Sequence, residues 1–151
     1  LDAVVLTGGV VLDEHEPADS ARAVAQAGPR AAMLLHRAAD AALSGWPAIA
    51  EIPPALAATV AGYVETARRF VPQEAPYLEN HRGHLMFVKP VERPFVTAEL
   101  IRHTTFTATE PELTERVAAL AAAGYDEIAF QIVPGQEHAI EDWGRIRRAF
   151  A

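Results

Sequence analysis

An α/β fold built on parallel strands is what this 151-residue sequence predicts, on three observations. Short runs rich in β-branched residues alternate with longer runs of helical spacing. Three such short runs, "AVVLTGGVVL", "HTTFT" and "EIAFQIV", are separated by helix-length segments, which implies parallel pairing through right-handed crossovers. The strand segments are also apolar on both faces, the pattern of strands covered on two sides.

The elements follow in order. Residues 3–12 read as the first strand, with Gly8 and Gly9 allowing close packing. "DEHE" (13–16) reads as a solvated loop. Residues 18–27 have helical spacing, Gly28-Pro29 reads as a break, and Pro29 can open a second helix that runs to about Ser44. "GWPAIAEIPP" is a linker. Pro54 opens a helix to about Phe70, with Leu56, Val60, Tyr63, Val64 and Ala67 on one stripe. Thr97 can start a single helical turn, and residues 103–107 read as the second strand. Thr109 and Glu112 form a capping box with Pro111 in the first turn. Leu113, Val117 and Leu120 make the buried stripe of that helix, and Gly124 is its left-handed stop. Residues 127–133 are the last strand. The final helix, about 138–150, is expected to bury Ile140, Trp143, Ile146 and Phe150.

Composition sets bounds on function. A net charge of −7 argues against nucleic-acid binding, which needs basic surface. The absence of cysteine removes disulfides, thiolate metal sites and cysteine nucleophiles, and fits a cytoplasmic protein. No apolar run reaches the ~18 residues of a membrane helix. There is no internal repeat, and residues 1–151 read as a single unit. The chain opens on a strand without an initiating Met, as a segment of something longer would.

Three parallel strands with helices on one side leave a sheet face uncovered. A closed (β/α)₈ barrel of about 250 residues would cover it, and this chain would then supply its last three units. In the last strand, Ile128, Phe130 and Ile132 share a large apolar face, which belongs against helices. Gln131 then faces the barrel lumen, together with Thr105 and Thr107 of the second strand and Thr7 of the first. Active sites in barrels lie at the carboxyl ends of the strands.

The stretch "TATEPE", followed by "AGYDEI" and the strand "AFQIVPG", resembles the carboxyl-terminal part of luciferase-like monooxygenases. That superfamily also includes deazaflavin-dependent methylenetetrahydromethanopterin reductases. Ala108 stands where the family usually has glycine. "ENHRGHLMFVKPVERPFVTAELI" and the closing "EDWGRIRRAF" are similar to segments of the reductase-like branch. The resemblance implies a barrel with a helical insertion, FMN or the deazaflavin coenzyme F420 at the strand ends, and hydride transfer or monooxygenation on a small organic substrate. It assigns no catalytic residue here, because the family's cofactor-phosphate contacts and catalytic groups lie largely in earlier strands.

Within that expectation His81, Arg82 and His84 are candidates for a pocket that receives an anionic cofactor tail or substrate, alongside Thr105, Thr107 and Gln131. Two other expectations compete. One is an α/β binding module that covers its open sheet face by forming a homodimer. The other is a small metal protein built on H-x-x-H. His81 and His84 would share a face on a helix, but Gly83 and the β-like run after it disfavour one, and only Glu79 is near as a third ligand. The sequence therefore predicts no metal site.

Overall fold

The computed structural model describes residues 2–47 and 51–150, so part of the 45–54 linker lies outside the described residues. The protein is a mixed α/β structure with parallel strands. The first strand is split by Gly8 into β1 (Val4–Thr7) and β2 (Gly9–Leu12). β3 (Phe106–Thr109) pairs in parallel with β2, Gly9 opposite Phe106. β4 (Glu127–Phe130) pairs in parallel with β1, Val4 opposite Glu127. The Thr7 carbonyl accepts from Gln131 N–H and the Gly8 carbonyl from Phe106 N–H. Carbonyls of successive extended residues point to opposite edges, so the first strand is central, with β3 on one side and β4 on the other. Three consecutive barrel units would instead set β4 beside β3.

That order places helices on both faces of the sheet, not on one. α1 (Ala21–Ser44), α2 (Ala57–Ala67) and α4 (Ala98–Thr104) cover the face of Val10 and Leu12, with Leu35, Tyr63, Leu100 and Ile101 in the same core. α5 (Glu110–Ala122) and α6 (Ala139–Arg148) cover the other face around Val11, Ala108, Leu113, Trp143 and Ile146. Phe130 stacks on Trp143 at 3.7 Å between ring centres. Phe130 thus lies under the final helix and Gln131 on the opposite face, as alternation requires. Thr7, in register with Phe130, shares the Phe130 face rather than that of Gln131.

Local sequence explains most element boundaries. Ser20 caps α1 by accepting from Ala23 N–H. The break expected at Gly28-Pro29 does not occur; both residues are buried inside one continuous helix. Proline removes one helical hydrogen bond, but tertiary packing holds the helix through it. A methyl on Gly28 would sit 2.7 Å from Val88 Cγ2 and 3.3 Å from side-chain atoms of Val24 and Val96. The second strand starts later than expected, at Phe106. Thr104 and Thr105 donate their hydroxyls back to the carbonyls of Leu100 and Ile101, at 2.6 and 2.7 Å, and α4 runs on to Thr104. The capping box forms, with Thr109 N–H donating to Glu112 Oε2 at 2.9 Å, and Gly124 takes φ 90° after α5. In α6 the stripe Ala139, Trp143, Ile146 is buried, but Ile140 is 61% and Phe150 46% exposed. Those two side chains fall off the sheet-facing stripe and, with Leu120, Tyr125 and Ile128, line an open apolar cleft beside β4. Val4 and Leu6 are also half-exposed or more.

The "DEHE" loop is tied down at its last residue. Glu16 accepts from Ser20 Oγ and Asp13 N–H and pairs with Arg22. Partial burial raises the Glu16 carboxyl, but the bonds from Arg22, Ser20 and Asp13 outweigh it and hold the pKa at about 2.

Candidate functional site

A buried polar network fills the space between α1, α2 and the 80–92 segment. It begins on α1, where His36 and Asp40 are one turn apart and therefore share a face. α3 (Tyr77–Asn80) ends on Asn80, and a chain of turns carries residues 81–86 across that face. The β-like run expected at Leu85–Val88 is not a strand. Gly83 and Leu85 both take positive φ, 72° and 64°, which curls the backbone.

Every buried charge in the network is met. Lys89 is fully buried, and its ammonium donates to the carbonyls of Glu79 and Asn80 at 2.6 and 2.7 Å and to Glu92 Oε1 at 2.9 Å. Glu92 Oε1 also lies 2.6 Å from His36 Nε2, and Oε2 accepts from Lys89 N–H at 2.8 Å. Burial pushes the Glu92 carboxyl up, but its bonds to His36 and Lys89 prevail and set it below the ordinary carboxylate value. Tyr63 donates to Asn80 Oδ1 at 2.8 Å, while burial and the adjacent Glu92 raise its phenol. Asn80 Nδ2 donates to the His36 carbonyl and to Asp40 Oδ1.

Three imidazoles meet at the edge of this network. His84 Nδ1 lies 3.0 Å from His36 Nδ1 and 3.3 Å from His81 Nδ1. The outer nitrogen of His36 is held by Glu92, and that of His81 by Asp40 Oδ2 at 2.7 Å. The carboxylates accept, so each outer nitrogen carries the proton, and in a neutral ring Nδ1 then presents its lone pair inward. Desolvation, with His36 and His81 close by, lowers the His84 pKa and favours its neutral form.

The structure gathers some of the sequence candidates and separates others. His81 and His84 join the cluster. Arg82 turns outward, forking onto Glu79 at 2.8 Å through two nitrogens, with 59% of its side chain exposed. Thr105 and Thr107 bond to each other at 2.7 Å, and Thr107 Oγ1 accepts from Val10 N–H. Gln131, at the carboxyl end of β4, donates through Nε2 to the Leu85 carbonyl at 2.8 Å and so ties the histidine segment to the sheet. Sequence reasoning missed His36, Asp40, Lys89 and Glu92. The available signal was His36 and Asp40, two polar residues one turn apart on the buried stripe of an Ala-rich helix.

Comparison with family models, curated proteins and solved structures finds no match for this chain. Among the described residues no helix is long and apolar enough to cross a membrane.

Proposed function

We propose that this chain is the carboxyl-terminal part of a luciferase-like oxidoreductase that uses FMN or F420 to transfer a hydride to, or oxygenate, a small organic substrate. The observation that supports this reading best is the Gln131–Leu85 bond. It sets the His81–Leu85 segment against the carboxyl end of a parallel strand, the end where α/β proteins gather ligand-binding groups. The motif resemblance described above supplies the cofactor class. In this reading the chain contributes the last three units of a (β/α)₈ barrel. β4 would move beside β3, earlier strands would take the edge of the first strand that β4 leaves, and the apolar Val4, Leu6 and Ile128 would be covered.

The chain's own residues have supporting tasks in that reaction. The buried Lys89–Glu92–His36 network fixes the histidine segment. His81 and His84 lie half-buried on that segment. Hydride donation or acceptance is the chemistry of the bound flavin or deazaflavin.

The test is fluorescence titration with FMN and with F420, on the 151-residue chain and on the polypeptide extended through the upstream reading frame. The extended protein is expected to bind one of the two with a Kd of about 1 μM or tighter, and the 151-residue chain neither. An extended protein that binds neither cofactor overturns the proposal, as does tight binding by a monomer of the short chain.

A further inference from the structure

We propose that His36, His81 and His84 form a binding site for one divalent transition-metal cation of the zinc class, with all three bound through Nδ1. The sequence argument against a metal had only His81, His84 and Glu79 to count. The fold adds His36 from a helix 45 residues earlier, and this is the one trio of ligand-type residues that converges among the described residues.

Geometry carries the inference. Zinc–imidazole bonds of about 2.0–2.1 Å at tetrahedral angles set neighbouring nitrogens about 3.3 Å apart. The two nitrogen pairs bonded through His84 are separated by 3.0 and 3.3 Å. One nitrogen from each of the three lies within 4.8 Å of the others. Two of the three rings are already held as metal ligands require. Glu92 and Asp40 accept from the outer Nε2–H of His36 and His81, which fixes the tautomer and leaves both Nδ1 lone pairs beside His84 Nδ1. Carboxylates backing imidazoles in this way raise ligand basicity and orient the rings. Three nitrogen ligands and no thiolate suit zinc, cobalt(II) or nickel(II) rather than magnesium or calcium, which prefer oxygen. The fourth position is left to water or a small ligand from the half-exposed side of His81 and His84.

The site stands apart from the flavin reading, because it lies wholly within these 151 residues and is tested without any cofactor. Purified chain, stripped with chelator, is titrated with zinc by calorimetry and with cobalt(II) by visible absorption. One equivalent should bind with a Kd of about 1 μM or tighter, and cobalt should give the intense bands of a tetrahedral site. At a hundredfold excess over Kd the melting temperature should rise by roughly 5–10 °C. His84→Gln, which removes a ligand that bonds only to the other two rings, should abolish both effects while circular dichroism stays unchanged. Asp40→Asn should weaken binding by roughly 10–100-fold. His15→Gln, at an exposed loop position, should change nothing. Zinc binding that is substoichiometric, or that survives His84→Gln, overturns the proposal. So does an unchanged melting temperature at saturating zinc.

Discussion

Glu92→Ala is expected to cost about 3–5 kcal/mol, the range for removing one partner of a buried ion pair. Glu92 is 1% exposed and serves Lys89 twice and His36 once. Its removal leaves a fully buried ammonium with two backbone carbonyls as its only acceptors, and a His36 N–H with none. For a chain of this length the loss corresponds to a fall in melting temperature of roughly 6–20 °C. Glu92→Gln keeps an acceptor for Lys89 and should lose less. Urea denaturation of the two variants checks the order, and a loss below about 1 kcal/mol for Glu92→Ala would show that the network does not hold the segment. The same carboxylate gives the protein an acid limit. Its folded pKa lies below the ordinary 4.5. Its contribution is therefore complete above pH 4.5 and is lost as falling pH titrates the folded carboxylate. Glu16, held at about 2, acts in the same direction, so stability should fall between pH 4.5 and 2.

Gly9→Ala is the second large effect. Gly9 opposes Phe106 across the β2–β3 ladder. A methyl on Gly9 would lie 2.9 Å from Phe106 Cα and closer still to its carbonyl carbon and oxygen. These are backbone atoms with no rotamer to change, so β2 and β3 must separate. Overpacking of ordinary cores costs about 1–3 kcal/mol, and a backbone clash belongs at or above the top of that range. Gly8→Ala is the internal control, since its methyl would meet Arg30 Cβ at 3.4 Å, close to ordinary contact. If urea midpoints for the two variants are equal, the β2–β3 pairing is not as tight as described.

Local signals survived the passage from sequence to structure, and distant ones did not. The capping box at Thr109 and Glu112 and the glycine stop at Gly124 were legible because each is set by neighbours within a few residues. The alternation of Phe130 and Gln131 was legible because strand period alone divides the faces. The Gly28-Pro29 break failed because Val88 and Val96, some sixty residues away, pack against that turn of α1. The start of the second strand failed through side-chain chemistry, as two threonines bonded back to helix carbonyls. At the site, H-x-x-H was visible, but its third imidazole and both supporting carboxylates come from residues 36, 40 and 92. Only the fold makes them neighbours. Ile140 and Phe150 were assigned to the core on helical spacing, which says which residues share a side and not how much of that side is covered.

The central place of the first strand has a consequence for how the chain reaches this structure. Its two ladders join segments 97 and 123 residues apart, Val10 to Thr107 and Val4 to Glu127. Closing such loops carries an entropy cost that grows slowly with length, but contacts of this span slow the search. On the ribosome, residues 4–12 emerge long before β3 and β4, so the edges those strands take stay open meanwhile, beside an apolar surface of the kind that pairs with other chains. The Ala-rich α1 follows within ten residues of Leu12 and packs on Val10 and Leu12 through local, quickly formed contacts. It thereby shields one face of a strand whose partners β3 and β4 are made much later.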